Sequence, residues 1–492
     1  MHILKYTTFL LCLGLTASYG QGNSFLKAYG NSGYDYGRDI KQDNDTGYVI
    51  TGSSSSFSSD AEAYLLKLDE DGEFLWSHNY GGTGSEWGES LVITSDSTYA
   101  IAGYTNSFGA GGFDFYLVRI DAEGLPLWEV YFGGSNWDQA FGLIQLPDGG
   151  FVLAGETYSY NDGMRSGYIV RTNDEGIMLW EHVMDLTEPS FFTDIDFDGD
   201  SIVLCGGIGD GGVDSYDGYI AKFGIDGNLG WDRTIGSEYN DQFNAVQVVD
   251  DLYSFGGSNG ASFPTEKQNM WMYRLDNAGN EIYDTVFINT TFNSDAINDI
   301  SIKYDQDYAY VGETKTYGYS VVDGNYDMFM AKMSPAPLYA QHSAQTYGEA
   351  GDDRGQAIDR TRDLGAVYLA DTKYFSTGGN NILIVKVAPA WTYPPLTDGE
   401  DGFLVEFDDI TNSLPSYQET IDLSVYPNPF NDIINIPVIL EGIYSIYSID
   451  GQLMQGGTLN SQEMNLGHFK SGIYLLTVIT SDGIYKKRLI KN

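Results

Sequence analysis

An acidic residue recurs at one position along most of the chain. It stands four to five residues after each closing aromatic segment, at Asp35, Glu86, Asp138, Asp241, Asp295 and Asp353, with Ser190 at the equivalent place in one copy. Converging carboxylates could bind Ca²⁺ or a cationic ligand, because hard cations prefer oxygen ligands. Alternatively, each carboxylate accepts hydrogen bonds from N–H groups of its own connection. Regular repetition favours this second, stabilising role.

Aromatic residues in the long Ser-, Asn- and Gly-rich segments are the second set of candidates. Rings among small polar residues can stack on sugars or grip peptides. Phe57, Phe108, Tyr160, Tyr317 and Phe375 fall in register and are expected to pack under their own loops. The less regular tyrosines are the better contact candidates, namely Tyr158, Tyr216, Tyr319 and Tyr374. A glycan or protein ligand is therefore expected.

The sequence contains no recognisable catalytic constellation. Gly256 to Gly260 fits a nucleophile-elbow pattern, but no helix follows it. Asp194 to Cys205 imitates a calcium loop, yet Cys205 stands where the loop needs a glutamate. We therefore expect a non-enzymatic protein without a cofactor. The alternative is an enzyme that degrades extracellular polysaccharide with carboxylates at the mouth of the fold, which would need one acid of raised pKa.

These residues sit within a repeated hairpin. Its copies include AYLLKLDEDGEFLW, FYLVRIDAEGLPLW and GYIVRTNDEGIMLW, and the closing residues Trp76, Trp128, Trp180, Trp231 and Tyr283 follow at intervals of 51 or 52 residues. Two further alternating segments precede each hairpin, which makes four strands per unit and predicts β-propeller blades. The fold is expected to be all-β, with seven blades over residues 21–388 and the N-terminal strand FLKAYG completing the last.

The overall composition agrees with an exported strand-rich protein. The 492 residues include 60 glycines and 38 tyrosines, and the formal net charge of −44 makes nucleic-acid binding improbable. Residues 1–20 read as a signal peptide, with Lys5, an apolar core from Phe9 to Leu15, and Ser18 and Gly20 before the expected cut. No transmembrane helix is expected in the mature chain, and its one cysteine would be Cys205.

The C-terminal part has a different organisation. Residues 389–422 are rich in proline and acids and are predicted to form a linker. Residues 423–492 alternate apolar and polar residues between Asp-Gly turns, which predicts a small β-sandwich. The marked positions in this segment are Tyr426, Pro427, Asn428, Pro429, Phe430, Gly451, Gly472, Tyr474, Lys486 and Lys487.

In the order of these motifs, Val425 to Asn492 resembles the C-terminal sorting domain of the type IX secretion system of Bacteroidota. The resemblance implies a targeting signal that the secretion machinery recognises at the outer membrane and that its sortase usually removes. It also implies a protein that is secreted or attached to the cell surface. The propeller region resembles glycine- and tryptophan-rich repeats of exported bacterial proteins, which implies a fold and no activity.

Overall fold

The computed structural model describes most of the repeat region and parts of the C-terminal region. The described residues are 24–31, 33–56, 60–209, 215–237, 239–261, 267–287, 294–302, 308–315, 325–333, 341–348, 351–373, 379–388, 404–406, 433–436, 442–448, 453–459, 463–480 and 483–491. The chain divides into two compact units, residues 1–410 and 411–492. No helix among the described residues is long and apolar enough to span a membrane.

The first unit is a seven-bladed β-propeller, as the repeats predicted. Strand β1 (Phe25–Gly30) belongs to the last blade, and each of the next six blades is a four-stranded antiparallel sheet with its strands in chain order. Blade 1 contains β2 (Asp35–Gln42), β3 (Tyr48–Ser54), β4 (Glu62–Leu68) and β5 (Phe74–Tyr80). Blade 2 contains β6 (Glu86–Ile93), β7 (Tyr99–Thr105), β8 (Asp114–Ile120) and β9 (Pro126–Phe132). Blade 3 contains β10 (Asp138–Gln145), β11 (Phe151–Thr157), β12 (Ser166–Thr172) and β13 (Met178–Val183), with a short 3₁₀ turn at Asn161–Gly163.

The remaining blades repeat this plan. Blade 4 contains β14 (Ser190–Phe197), β15 (Ser201–Gly209), β16 (Tyr216–Gly224) and β17 (Leu229–Ile235). Blade 5 contains β18 (Gln242–Val249), β19 (Leu252–Ala261), β20 (Lys267–Asp276) and β21 (Glu281–Phe287). Blade 6 contains β22 (Asp295–Ile302), β23 (Tyr308–Thr314), β24 (Asp327–Met333) and β25 (Gln341–Tyr347). Blade 7 contains β26 (Arg354–Arg360), β27 (Ala366–Thr372), β28 (Asn381–Val387) and then β1.

The N-terminal strand closes the ring. In β1, Phe25 pairs with Lys386 and Tyr29 with Ile382, so the two ends of the repeat region share one sheet. Ala28 packs in the apolar cluster shared with blade 6, and Tyr29 packs in the one shared with blade 1. This confirms the predicted closure. The predicted linker 389–422 differs in one place, because Leu404–Glu406 within it forms strand β29, which adds in parallel to β1. A paired outer edge leaves fewer open backbone groups on that strand.

A tryptophan–glycine contact explains why both residues recur in the hairpins. Gly176 lies in the turn between β12 and β13 with φ +79°, and a Cβ there would come within 2.8 Å of the Trp128 ring in blade 2. Gly227 of blade 4 has the same relation to Trp180 of blade 3. In blade 1, Gly72 lies against Phe25 of β1, which takes the tryptophan's place. The contact therefore needs a residue without a side chain that also tolerates positive φ.

Side chains on the innermost strands connect the blades around the central channel. These strands carry a β-bulge, for example between Gly37 and Asp39 of β2, and the edge that faces the channel has no further strand to pair with. Carboxylates of the preceding blade accept some of its N–H groups instead, as Asp39 does from Leu91 N at 2.9 Å and Asp299 from Ile358 N at 2.8 Å. Buried backbone donors are thereby satisfied between blades as well as within them.

The second unit has its own apolar core. Its strands are β30 (Ile433–Asn435), β31 (Gly442–Ser448), β32 (Leu453–Leu459), β33 (Glu463–Asn465), β34 (Gly472–Thr480) and β35 (Gly483–Lys491). They form a two-stranded sheet, β30-β33, and a four-stranded sheet in the order β32-β31-β34-β35. The buried side chains include Ile434, Ile446, Leu466, Leu476 and Leu489. Two small sheets sharing one apolar cluster agree with an all-β domain; the predicted sandwich stays a prediction.

Candidate ligand-binding site at the channel mouth

The six repeated acids all lie at the start of an innermost strand and are almost fully buried. Asp138 shows the arrangement: its carboxylate accepts Gly134 N at 2.7 Å, Ser159 Oγ at 2.7 Å and the hydroxyl of Thr157. Glu86 likewise accepts Gly82 N at 3.1 Å and Thr105 Oγ1 at 2.6 Å. By these hydrogen bonds, each acid links the connection that precedes its own strand to the end of the strand that follows.

The other repeated acids follow the same plan within their own blades. Asp35 accepts Asn31 N at 2.8 Å and Ser56 Oγ at 2.9 Å, and burial raises its pKa although these bonds oppose the rise. Asp241 accepts Gly260 N at 2.5 Å, and Asp295 accepts Thr314 Oγ1 at 2.6 Å. Asp353 and the equivalent Ser190 are also buried. These contacts favour the stabilising interpretation. Among the described residues, no group of three or more His, Cys, Asp or Glu side chains is arranged to hold a metal ion.

Variable residues surround the fixed acids, and in blades 1 to 3 they form a continuous group of rings. We call Tyr34, Tyr36, Trp87, Tyr104, Phe113, Trp137 and Phe141 the aromatic arc. Successive ring centroids are 5.8 Å apart for Tyr36 and Trp87, and 6.0 Å apart for Trp87 and Tyr104. Phe113 joins Tyr104 to Trp137 by edge contacts at 5.2 and 5.8 Å. The two ends are open to solvent, because Tyr34 is 54% exposed and Trp137 is 56% exposed.

An arginine lies beneath the first rings of the arc. The guanidinium carbon of Arg38 is 5.3 Å from the Tyr36 centroid and 5.9 Å from that of Trp87. Its nitrogens lie 3.3 Å from Glu89 and 3.0 Å from Asp371, so two acids from different blades share one cation. Burial raises the pKa of both Glu89 and Asp371, while Arg38 opposes that rise. The acids hold Arg38 in position and neutralise its charge.

A second arginine brings together two of the predicted contact tyrosines. Arg165 donates to Glu156 at 2.6 Å, and its guanidinium carbon lies 3.7 Å from the Phe191 centroid and 5.7 Å from that of Tyr216. The charge of Arg165 also acts on Tyr158, whose pKa is raised chiefly by burial and then by Glu156. The other two predicted tyrosines, Tyr319 and Tyr374, lie outside the described residues.

A third arginine repeats the combination in blades 6 and 7. Arg354 lies 2.8 Å from Glu313 and 3.7 Å from Asp352, and its guanidinium carbon is 4.0 Å from the Tyr326 centroid. Burial raises the pKa of Glu313, and Arg354 opposes this rise. Each of the three arginines thus has an acidic partner on one side and an aromatic face on another.

A cavity of about 680 Å³ extends from this mouth along the innermost strands. Blades 2 and 3 give it an apolar wall that includes Val92, Phe141 and Ile144. Blades 4 to 6 give it a polar wall that includes Asp194 and Asn244. Its volume falls in the range of about 300–1,000 Å³ that small-molecule sites occupy. The arrangement offers flat rings at the entrance and hydrogen-bonding groups below.

Sequence reasoning found the fixed acids but missed the arc and the arginines. A signal was present, because Tyr36 and Trp87 directly follow the fixed acids Asp35 and Glu86 at a strand position that is only partly buried. Tyr104 stands opposite Trp87 on the neighbouring strand. The residue beside the fixed acid varies among the blades, and this variation marks the face on which the blades are not equivalent.

The sorting residues are only partly described. Tyr426, Pro427, Asn428, Pro429, Phe430 and Gly451 lie outside the described residues. Gly472 and Tyr474 lie on β34, where Tyr474 is buried and donates to Lys470 O at 2.8 Å. Lys486 and Lys487 lie on the adjacent strand β35.

Comparison with known families accounts for the C-terminal region. Residues 424–492 match the family described as the secretion system C-terminal sorting domain. This confirms the sequence prediction for that segment, and it identifies the chain as a protein secreted or attached to the outer-membrane surface through the type IX system. A sorting domain also implies contact with the secretion machinery.

The chain is also distantly similar to several other known proteins. The regulatory protein FlaEY of Caulobacter vibrioides is 29% identical over 113 residues, which cover 20% of this chain and 12% of that protein. PorZ, a surface component of the type IX secretion system of Porphyromonas gingivalis, is 10% identical with a TM-score of 0.41, covering 95% of this chain and 60% of PorZ.

The β-propeller domain of the Trilobed protease from Pyrococcus furiosus is also similar. It is 10% identical with a TM-score of 0.43, and the match covers 77% of this chain and 99% of that domain. Likenesses of this strength carry no argument about function. The propeller fold is established by the strand pairing of the chain itself.

Proposed function

We propose that the propeller is a binding module for an extracellular glycan or protein, and that a glycan is the ligand favoured by the mouth of the channel. The aromatic arc carries the proposal. Its rings run across three blades, its two ends are exposed, and it borders a cavity with hydrogen-bonding side chains. Sugar rings have an apolar face that stacks on aromatic side chains and hydroxyls that bond to polar ones.

The test is a binding screen of the full chain against glycans, followed by variants of the arc. We expect Trp87→Ala to weaken binding of the identified glycan at least about tenfold, as truncation of a central aromatic contact does. Leu127→Ala is the control, because Leu127 is an exposed apolar side chain of the same blade but lies on the outermost strand. Equal binding by the native protein and Trp87→Ala would contradict the proposal.

Binding is proposed to need no metal cofactor, because the repeated carboxylates already accept hydrogen bonds from their own blades. We expect the affinity for the glycan to be the same in excess EDTA and in millimolar Ca²⁺. A clear loss of affinity in EDTA that Ca²⁺ restores would show that Ca²⁺ is a ligand after all.

A second candidate function is degradation of a polysaccharide, and one observation favours it. Glu89 and Asp371 are close enough to share Arg38, and both have raised pKa values as a general acid requires. The assay is release of new reducing ends from polysaccharides. If the native protein releases new reducing ends and Glu89→Gln abolishes this release, the enzymatic function would replace the binding-only proposal.

The sorting domain is proposed to be cut off by the sortase of the type IX system after export. Released or surface-anchored protein would then lack residues 424–492. The mass of the protein recovered from outside the cell tests this, since an uncut chain would retain the mass of the sorting domain.

A further inference from the structure

The charges around the cavity point to a narrower class of ligand than the proposed function names. Every arginine described at the mouth is engaged by acids: Arg38 by Glu89 and Asp371, Arg165 by Glu156, and Arg354 by Glu313 and Asp352. An acidic sugar would have to displace a carboxylate to reach one of these guanidinium groups. The three arginines described at the mouth are therefore already paired with acids and are not available to an anionic ligand.

The cavity below is acidic. Six carboxylates line it against three basic groups, which are Arg38, Lys41 and Arg165. The carboxylates are Asp39, Glu89, Asp194, Asp196, Asp299 and Asp359. Lys41 lies 2.7 Å from Asp39, so the lysine too has an acidic partner. A site with this balance attracts cations and repels anions.

Asp194 is the acid best placed to meet a cation in the cavity. It is only partly buried, it lines the polar wall on blade 4, next to the blade that carries Phe141, and its carboxylate accepts Val246 N at 2.8 Å and Ile195 N at 2.8 Å. A carboxylate has about four acceptor positions, so two bonds to the backbone leave room for a ligand. Among the described residues no ion pair joins Asp194 to a basic side chain.

The two walls of the cavity differ in kind. Val92, Phe141 and Ile144 offer an apolar surface, and Phe141 contacts another ring of the arc, Tyr104, with the centroids 6.4 Å apart. Asp194 and its neighbour Asp196 stand on the other wall. A sugar ring with a protonated amino group matches both walls, because its C–H face can lie on the aromatic ring while the ammonium group reaches a carboxylate.

Resting on the proposed glycan-binding function, we infer that the mouth and cavity bind a glycan that contains amino sugars, and that Asp194 selects the ammonium group. Acidic glycans are excluded by the same charges.

The experiment compares three tetramers on the full chain by calorimetry at about pH 6, where a primary amine is protonated. They are built from glucosamine, N-acetylglucosamine and galacturonic acid, which are cationic, neutral and acidic. We expect the glucosamine tetramer to bind at least about tenfold more tightly than the galacturonic acid tetramer. Asp194→Asn should remove most of this preference, because it should weaken binding of the glucosamine tetramer much more than binding of the neutral tetramer.

Asp232→Asn is the matched control, because Asp232 is an exposed acid on the outermost strand of the same blade. If Asp194→Asn fails to fold, the salt dependence of the native protein serves instead, since added salt should weaken the preference for the amine. The inference would be overturned, and the proposed function would stand, if the acidic tetramer bound equally or more tightly. The same holds if neither Asp194→Asn nor added salt reduced the preference for the amine. If no tetramer binds and the wider glycan screen is also negative, the proposed function fails with it. Binding of lysine-rich peptides but no glycan would assign the cavity to a protein partner.

Discussion

At the scale of single residues, one carboxylate type serves two purposes that differ only in what surrounds it. Asp138 is surrounded by N–H and hydroxyl donors of its own blade, so its bonds are all satisfied locally. Asp194 lies in the channel wall, where a ligand can approach. The sequence marks the first kind clearly because it recurs. The second kind recurs in fewer blades, since Asp39 and Asp299 stand at the same strand position as Asp194 and also accept a backbone N–H of the next blade.

Replacing a repeated acid should destabilise the fold. In Asp138→Ala, Gly134 N and the hydroxyls of Thr157 and Ser159 lose their acceptor in a buried place. We expect the free energy of unfolding to fall by about 2–3 kcal/mol, the cost of buried unsatisfied donors, measured by denaturant titration. Asp148→Ala in the same blade breaks an exposed ion pair with Arg171 and a turn hydrogen bond from Gly150 N, and it should cost less, about 1 kcal/mol. Equal losses in the two variants would contradict the stabilising role.

The pH dependence of stability should reveal Asp114, which lies beside Asp138. Burial raises the pKa of Asp114 to about 6, with Asp138 adding to the rise. Since the folded state then holds this proton more tightly than the unfolded state, the contribution of Asp114 to stability falls as pH rises from about 4 to about 6. Asp114→Asn removes the titration, so its stability relative to the native protein should improve between these pH values. Denaturant titrations at about pH 4.5 and 7.5 measure this, and a pH-independent difference would contradict it.

At the scale of elements, strand β1 must both pair with a neighbouring strand and pack against two blades, because it closes the ring. Its residues pair with β28 and also pack on both neighbouring blades, with Phe25 under the glycine turn of blade 1. The match between FLKAYG and the ends of other hairpins was enough to predict this role. The addition of β29 could not be predicted in that way, because a three-residue strand in a proline-rich segment has no periodic pattern.

Two tyrosines, Tyr29 near the end of β1 and Tyr34 in the connection after it, should separate stability from binding. Tyr29 is fully buried and donates to Gly72 O, so Tyr29→Ala should lower the free energy of unfolding by about 3–5 kcal/mol. Tyr34 is exposed in the arc, so Tyr34→Ala should change stability by less than about 0.5 kcal/mol and should weaken glycan binding. Unfolding and binding measured on both variants check this. A large loss of stability in Tyr34→Ala would show that the arc is part of the core.

At the scale of the whole molecule, the sorting domain and the proposed binding site lie in different compact units. Residues 424–492 form the sorting domain, whereas the arc and the cavity lie in residues 1–410. Deletion of residues 424–492 should therefore abolish passage across the outer membrane and leave glycan binding by the purified remainder intact. Cell fractionation and a binding assay measure the two effects, and unaltered export of the truncated chain would contradict the prediction.

The sequence by itself determined the features that repeat or follow a fixed order of motifs. The interval of about 52 residues between Trp76, Trp128 and Trp180 predicted the propeller blades. The order of motifs from Tyr426 to Lys487 predicted the sorting domain. A repeated contact such as Trp128 on Gly176 needs the same residues in every blade, so selection for the fold leaves a periodic trace.

Only the tertiary structure decided the candidate site. Tyr36, Trp87 and Phe141 come from three blades, and Arg38 meets Asp371 across more than three hundred residues of chain. These contacts form because ring closure brings the first and last blades together and turns the same strand position of each toward one mouth. The residues there are free to differ from blade to blade, since none of them is needed to hold the repeat, and a sequence pattern cannot show which of them meet.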